Sequence, residues 1–362
     1  MKINTHTTTF KTALLFFFMV VIYLVAAVFI VKPSPNDVAY KDKNSNVFGL
    51  NIPHNLEFCG EKIPSNNFNI KEDLEKEFFT NNYWKNNSLV LFNKARRWFP
   101  YIEPILKAEG VPDDFKYLCV IESHLSNASS PAGAAGFWQL VPNSARNYGL
   151  EVSDEVDERY HIEKSTHAAC SHVKDAYRMF KNWTLSAAAY NLGIGGIQNA
   201  MRKQGSDNYY DLMLNSETGS FIYRILAYKT LFASPEHFGI KNKKWNYFSK
   251  IPVSLVKVDS TVSNISHLAI YLGTDVKTLK LFNPWLLKNT LTNVDKKPYV
   301  FLIPKNSKTD YSYLAEDVLP EITKPTAISP IATTLITSTD TLVKNKSSLS
   351  YSVKTMQEEK KY

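Results

Sequence analysis

Helical spacing of apolar side chains dominates the middle of the chain, from about residue 70 to about residue 245. Side chains three and four positions apart share one face of a helix, so this pattern predicts a mainly α-helical domain. Ser234-Pro235 is a stop signal, and Pro100 is expected to interrupt one helix. The clearest predicted helical segments are 111–123, 162–180, 185–190 and 221–232.

The pattern changes near residue 251. A short strand (VSLVKV), two short helices and a closing strand (YVFLIP) are predicted over residues 251–304. Runs of β-branched and aromatic residues bounded by turn residues are typical of strands. The predicted fold class is therefore a helical domain at 51–248 followed by a small α+β domain at 251–304.

Both ends of the chain differ from these two domains. Residues 13–31 are nineteen consecutive apolar residues, which as a helix would span roughly 28 Å, about one hydrocarbon core. This run predicts a transmembrane anchor, with a cleaved signal segment as the alternative. Residues 1–12 would form a short N-terminal tail and residues 32–50 a polar linker. Residues 305–362 are rich in Ser, Thr and Lys and predict a disordered tail.

The charge of the chain favours an anionic partner. There are 42 Lys and Arg residues against 34 Asp and Glu residues, a net charge of +8. No nucleic-acid motif accompanies this charge, so we predict no nucleic-acid partner. The three cysteines form no CxxC pair, and His161, His167 and His172 do not share a helical face. We therefore predict no metal site and no cofactor.

A carboxyl group lies on the apolar face of the first predicted helix of this series. Val111, Phe115, Leu118 and Glu122 share that face through spacings of 4, 3 and 4. Burying an unpaired carboxylate is costly, so such a group is paired, lies at a cleft or stays protonated with a raised pKa. A general acid requires the last state. The residue types alone leave a catalytic acid and a buried salt bridge or cap both open.

Two further segments could serve the same site. The run 131–139 (PAGAAGFWQ) combines small residues with an aromatic face and an amide, which suits a sugar ring with its acetamido group. A glycine-rich turn with a core tryptophan is the alternative. Tyr190 and Asn191 then stand at a predicted helix end, just before a glycine.

Together these segments resemble the lysozyme-like lytic transglycosylases, particularly the membrane-bound type with C-terminal LysM-like modules. The resemblance is carried by ES, SPAGAAGFWQ, AAAYNLG and ETGSFIYRILAYK, in this order. It covers about residues 50–245 closely and residues 251–304 more loosely. In the second region Asn283-Pro284 fits a LysM module, whereas Asp259-Ser260 replaces the usual Gly-Asp and leaves glycan binding open.

The resemblance implies a fold and a set of site residues. The fold is that of the goose-type lysozyme-like helical domains, also called SLT domains. Glu122 matches the single acid/base of the family, and Ser123 matches the serine that accompanies it. The matched substrate-binding positions are Ser123, Ser130, Gly136, Phe137, Trp138, Gln139, Tyr190, Asn191 and Glu217.

The implied enzyme is a carbon–oxygen lyase of cell-wall remodelling. It cleaves the β-1,4 bond between N-acetylmuramic acid and N-acetylglucosamine in peptidoglycan and leaves 1,6-anhydromuramyl products. Its implied location is the cell envelope, in the periplasm, anchored to the inner membrane by the N-terminal helix or exported after cleavage. Glycan strands and the inner membrane are the implied partners, and no protein partner is predicted.

Two alternatives stay open. A hydrolytic muramidase would need a second carboxylate to activate water. Asp154, Glu155, Asp157 and Glu158 are candidates, although so dense an acidic cluster is typical of a solvated loop. The other alternative is a non-catalytic module that tethers the membrane to peptidoglycan.

Overall fold

The structure, a computed structural model, describes residue 53 and residues 55–80, 84–235, 250–305 and 353–356. The expected anchor at 13–31, the linker at 32–50 and most of the expected tail at 305–362 lie outside these residues. None of the helices among the described residues is both long and apolar enough to cross a membrane.

The described residues are mainly helical, which confirms the predicted class. The α-helices are α1 (Phe68–Thr80), α2 (Trp84–Ala108), α3 (Lys116–Ser123), α4 (Pro142–Asn147), α5 (Ile162–Phe180), α6 (Trp183–Leu192), α7 (Ile194–Gln204), α8 (Ser216–Gly219), α9 (Phe221–Ala233), α10 (Ile265–Tyr271) and α11 (Val276–Phe282). The strands are β1 (Glu57–Phe58), β2 (Glu61–Lys62), β3 (Val253–Val258), β4 (Tyr299–Pro304) and β5 (Val353–Met356). Short 3₁₀ helices cover Asp113–Phe115, Glu158–Tyr160 and Tyr209–Asp211.

Helix α6 lies deep in the helical domain. Its sequence WTLSAAAYNL contains three consecutive alanines, Ala187, Ala188 and Ala189, all 0% exposed. Because alanine adds little bulk on any side, α5, α7 and α9 pack directly against α6. Tyr190 and Asn191 lie at the carboxyl end of this enclosed helix, so the packing of the helix fixes the backbone of both residues.

The predicted break at Pro100 is wrong. Helix α2 runs continuously through Pro100 and Pro104. Each proline removes one amide donor from the helix, which weakens it locally. Ile102 and Leu106 are nevertheless 0% and 1% exposed. Packing of this face into the core therefore outweighs the lost hydrogen bonds.

The α+β domain has the predicted strand, helix, helix, strand order. Strand β3 pairs antiparallel with β4, with Val253 opposite Pro304 and Val258 opposite Tyr299. Strand β5 pairs antiparallel with the other edge of β3. It lies inside the segment for which composition predicts disorder. Helices α10 and α11 cover this sheet, and Leu268, Leu279 and Phe301 in the core are 0% exposed.

The acidic segment 151–158 joins the two domains. Val152 forms an isolated bridge with Asp157, and Val156 forms one with Leu286 of the α+β domain. Val156 is 1% exposed and belongs to the core of the α+β domain. Of the four candidate carboxylates only Asp154 is exposed. The prediction of a solvated acidic loop therefore holds for Asp154 and not for the other three.

Candidate active site

Glu122 lies in the last turn of α3 and is partly buried. Within the described part of the chain, its carboxyl group has no hydrogen bond and no salt bridge. Burial raises the pKa of Glu122 from 4.5 to about 7, the positive charge of Arg224 opposes this, and the negative charge of Glu217 adds to it. The last turn of a helix also presents the negative end of its dipole, which disfavours a carboxylate. At neutral pH a large fraction of Glu122 is therefore protonated, as a general acid must be.

Helix α3 ends abruptly just past this acid. His124 and Leu125 both adopt left-handed backbone angles, with φ of 50° and 52°. Lys94 Nζ donates a hydrogen bond to the His124 carbonyl oxygen at 3.0 Å, and Tyr228 Oη lies 3.3 Å from His124 Nε2. Leu125 is 1% exposed and anchors the turn in the core. The chain is thereby redirected across the face of Glu122.

The residues that follow form the cleft loop, residues 128–140. Three of the predicted site side chains hold its backbone. Ser123 Oγ donates to the Phe137 carbonyl oxygen at 2.9 Å, and Tyr190 Oη donates to the Trp138 carbonyl oxygen at 2.7 Å. Gln139 Nε2 donates to carbonyl oxygens of the same loop at 2.8 and 3.0 Å. These side chains therefore fix the loop beside Glu122.

The rings of Phe137 and Trp138 do not face the cleft. They are 2% and 1% exposed, and Trp138 Nε1 donates to Thr166 Oγ1 at 2.9 Å. Both rings are held in the core, so neither can offer its face to a sugar as the sequence suggested. The alternative given from the sequence, a glycine-rich turn with a core tryptophan, fits this placement. Their backbone carbonyl groups, not their rings, link them to Ser123 and Tyr190.

Gly136 has a clear geometric reason to be glycine. Its φ is +80°, and an added Cβ would lie 2.0 Å from the carbonyl oxygen of Arg159. The cleft loop therefore packs against the 3₁₀ helix Glu158–Tyr160 more closely than any side chain would allow. Ser130, at the start of the loop, accepts a hydrogen bond at Oγ from the Ala134 amide at 3.1 Å.

Asn191 and Glu217, both matched to substrate-binding positions by the resemblance, lie together. Asn191 Nδ2 donates to Glu217 Oε1 at 3.1 Å, and Thr218 Oγ1 donates to Asn191 Oδ1 at 2.6 Å. Arg224 Nη2 donates to the Glu217 carbonyl oxygen at 2.8 Å. The charges of Glu217 and Arg224 both act on Glu122, so this cluster lies near the acid.

Tyr190 connects the cleft loop to the acid. Burial raises the pKa of Tyr190 well above its ordinary value, and the nearby Glu122 carboxyl adds to the effect. Tyr190 therefore stays a neutral hydrogen-bond donor. Arg224 is a residue that the sequence analysis missed. Its position seven residues after Glu217, within the segment ETGSFIYRILAYK that carries the resemblance, was the signal that could have found it.

The acidic cluster after residue 150 serves structural contacts. Asp157 forms a buried salt bridge with Arg159, Nη2 to Oδ2, at 2.6 Å. Glu158 accepts a hydrogen bond from the Glu151 amide at 2.9 Å and pairs with Lys164. Glu155 accepts hydrogen bonds from the α+β domain. These three carboxylates are therefore engaged away from Glu122.

The three candidate histidines have separate surroundings. His167 Nδ1 lies 2.7 Å from Glu109 Oε1, and burial lowers the pKa of His161 to about 4. The His172 ring lies between the rings of Tyr148 and Tyr190, with centroids 5.3 and 4.9 Å away. Among the residues that the structure describes, no group of three or more His, Cys, Asp or Glu side chains is placed to hold a metal ion.

Comparison with known proteins confirms the resemblance. Residues 100–213 match the family described as transglycosylase SLT domain, and residues 254–307 match the soluble lytic transglycosylase C-terminal LysM-like domain. The chain is 28% identical over 249 residues to membrane-bound lytic murein transglycosylase D of Escherichia coli strain K12, covering 67% of this chain and 53% of that protein. The protein of the same name from Escherichia coli O6:H1 matches equally, so the chain spans about half the length of these curated relatives.

A solved structure also matches. It is the X-ray structure of an inactive mutant of lytic transglycosylase Slt from Pseudomonas aeruginosa, 18% identical with a TM-score of 0.35. The match covers 44% of this chain and 27% of that chain. From the two family matches, this chain carries a transglycosylase SLT domain followed by a C-terminal LysM-like domain.

Proposed function

We propose that this protein is a lytic transglycosylase that cleaves the β-1,4 bond between N-acetylmuramic acid and N-acetylglucosamine in peptidoglycan. The observation that carries the proposal is Glu122, a partly buried carboxyl group whose pKa is raised to about 7 beside the cleft loop. The match to the transglycosylase SLT domain supports the reaction class. The name of the relative from E. coli, a lytic murein transglycosylase, supports the substrate.

In the first step, neutral Glu122 donates its proton to the bridging glycosidic oxygen. The bond from this oxygen to C1 of the muramyl residue breaks, and positive charge develops on the sugar ring. Glu122 is left as a carboxylate close to that charge. Arg224, whose charge favours the ionised form of Glu122, stabilises this intermediate state of the acid.

In the second step, the Glu122 carboxylate accepts the proton of the muramyl C6 hydroxyl group. The C6 oxygen bonds to C1 and closes a 1,6-anhydro ring, which returns Glu122 to its neutral form. No water is consumed, so no second carboxylate is needed to activate one. The nucleophile belongs to the substrate itself, and its effective concentration at C1 is high. The engagement of Asp157, Glu158 and Glu155 in structural contacts favours this route over hydrolysis.

The proposal includes the location. The enzyme would act in the cell envelope, on the periplasmic side of the inner membrane. The apolar run at 13–31 would anchor it there or direct its export before cleavage. The relative from E. coli is described as membrane-bound.

Digestion of purified peptidoglycan sacculi by the full-length protein tests the proposal. Products are resolved by mass spectrometry for the wild type, for Glu122→Gln and for Asp154→Asn, a substitution at an exposed carboxylate. We expect muropeptides lighter by one water and resistant to borohydride reduction from the wild type and Asp154→Asn, and none from Glu122→Gln. Reducible ends would mean hydrolysis, and binding without product would indicate a tether.

A further inference from the structure

The LysM-like domain contacts the catalytic domain through the same segment that supports the cleft loop. We propose that this domain braces the active site: it holds the segment 151–157, this segment holds Arg159, and Arg159 holds the cleft loop beside Glu122. Arg159 is thus a positioning residue. The inference rests on the proposed function, because the role of the brace is to keep that site in its working geometry.

The first link is a short backbone ladder around Val156. Val156 inserts into the core of the LysM-like domain and is 1% exposed. Hydrogen bonds on both sides of it run from Leu287 N to Glu155 O (2.8 Å) and from Asp157 N to Trp285 O (2.8 Å). Paired backbone groups and a buried side chain fix both register and distance. The LysM-like domain is therefore docked on the catalytic domain, not merely tethered to it.

Side chains reinforce this docking. The Glu155 carboxylate accepts hydrogen bonds from Thr290 Oγ1 and from the Thr292 amide, both at 2.7 Å. The Glu151 carboxylate accepts one from Tyr299 Oη at 3.0 Å. Hydrogen bonds to a charged acceptor are stronger than neutral ones. Two carboxylates of the catalytic domain, at the first residue of the segment and next to Val156, are thus held by the LysM-like domain.

The second link is the pair formed by Asp157 and Arg159. They are 4% and 8% exposed. Arg159 Nε donates to Asp157 Oδ1 at 2.9 Å, and Nη2 donates to Oδ2 at 2.6 Å, which is a two-pronged contact. The Asp157 backbone is itself held by Trp285 of the LysM-like domain. The orientation of the guanidinium group therefore follows the docking.

The third link reaches the cleft loop. Arg159 Nη1 donates to the carbonyl oxygens of Gly133 and Leu140, at 2.7 and 3.0 Å. The Arg159 carbonyl oxygen occupies the space that a side chain at Gly136 would need. Arg159 thus contacts the middle of the loop, at Gly133 and Gly136, and its last residue, Leu140. The loop is also held by Ser123, next to Glu122 in sequence, and by Tyr190.

A brace and a glycan-binding module predict different kinetics. A module that only binds glycan strands changes the affinity for long polymer and leaves turnover of short glycans unchanged. A brace changes the turnover of short glycans, because a displacement of about 1 Å in catalytic geometry can cost up to ~100-fold in rate.

The test compares full-length Glu155→Ala, Arg159→Lys and the control Asp154→Ala. Hydrogen–deuterium exchange is measured for the cleft-loop amides of Ala135 and Gly136, which are hydrogen-bonded within the loop. We expect both variants to exchange these amides about tenfold faster than wild type, with unchanged exchange in α6. On short soluble glycans, kcat should fall about tenfold, and Glu155→Gln should recover part of this loss.

Two outcomes would overturn the brace. One is loop exchange and kcat within about twofold of wild type for Glu155→Ala. The other is a raised KM for sacculi with unchanged kcat on short glycans, which indicates glycan binding alone. Accelerated exchange in α6 would show that Arg159→Lys unfolds globally. In that case the result for Glu155→Ala, at a half-buried position, decides whether the brace exists. If the wild type releases no product, the proposed function fails, while the exchange measurement still tests the docking.

Discussion

The stability of this protein should depend on the protonation of Glu122. Its pKa is about 7 in the folded state against an ordinary value of 4.5, so the folded state holds the proton more tightly than the unfolded chain does. The stability gained from this group is fully present below about pH 4.5 and is lost as the pH rises through about 7. Glu122→Gln removes the ionisable group, so the variant does not lose this stability as the pH rises.

The magnitude follows from the shift. At about 1.36 kcal/mol per pKa unit, a rise from 4.5 to about 7 corresponds to at most ~3 kcal/mol. Glu122 is only partly buried, so water screens part of the effect and we expect about 1–2 kcal/mol. This value is not the stability difference between variant and wild type at one pH. It is the amount by which that difference changes as the pH rises.

Urea unfolding at pH 5 and pH 8 measures this change for wild type, Glu122→Gln and the control Asp154→Asn. Relative to wild type, Glu122→Gln should gain about 1–2 kcal/mol between the two pH values, because only the wild type must bury a charge at pH 8. Asp154→Asn should show the wild-type dependence, since Asp154 is exposed. Parallel pH dependences for Glu122→Gln and wild type would refute the reasoning.

Further predictions concern other parts of the site and its support. Arg224 lowers the pKa of Glu122, so Arg224→Gln should shift the alkaline limb of the rate–pH profile upward, whereas Arg224→Lys should leave it close to wild type. Gly136→Ala places Cβ 2.0 Å from a carbonyl oxygen and should cost ~3 kcal/mol or more in chemical denaturation. Gly133→Ala, with a φ of +81° and free space around it, should cost only about 1–2 kcal/mol. The Glu61 carboxylate accepts hydrogen bonds from two backbone amides at the start of α6. Glu61→Gln should therefore cost about 1 kcal/mol of stability, seen as a lower thermal midpoint.

Helical periodicity predicted the fold where a single face is strongly apolar. The segment 162–180 was predicted as a helix and α5 has these bounds. The β1–β2 hairpin was missed because strands of two residues carry no periodicity. Strand β5 was missed because its pairing partner β3 lies about 100 residues away and the local composition is polar.

The placement of a carboxyl group on an inward-facing helix surface could be predicted from sequence, but its surroundings could not. Glu122 was singled out because a carboxyl group on an apolar face is unusual, and its acid/base role was assigned only through the resemblance to the lytic transglycosylases. Trp138 was ambiguous, since an aromatic residue after glycine suits a core as well as a sugar site. The role of Arg159 could not be predicted, because its partner Asp157 belongs to an acidic run that docks against the LysM-like domain. This docking depends on long-range contacts, which local sequence patterns do not contain.

The two left-handed residues directly after α3 should respond differently to selection for heat tolerance. A non-glycine residue in this conformation costs roughly 1–2 kcal/mol, and His124 and Leu125 bear that cost in succession. Glycine at either position would relieve it, but would remove the buried Leu125 anchor or the contact of His124 with Tyr228. Variants selected for heat tolerance alone should therefore acquire glycine at His124 but retain Leu125, because losing a buried leucine costs about 2–5 kcal/mol, more than the strain it relieves.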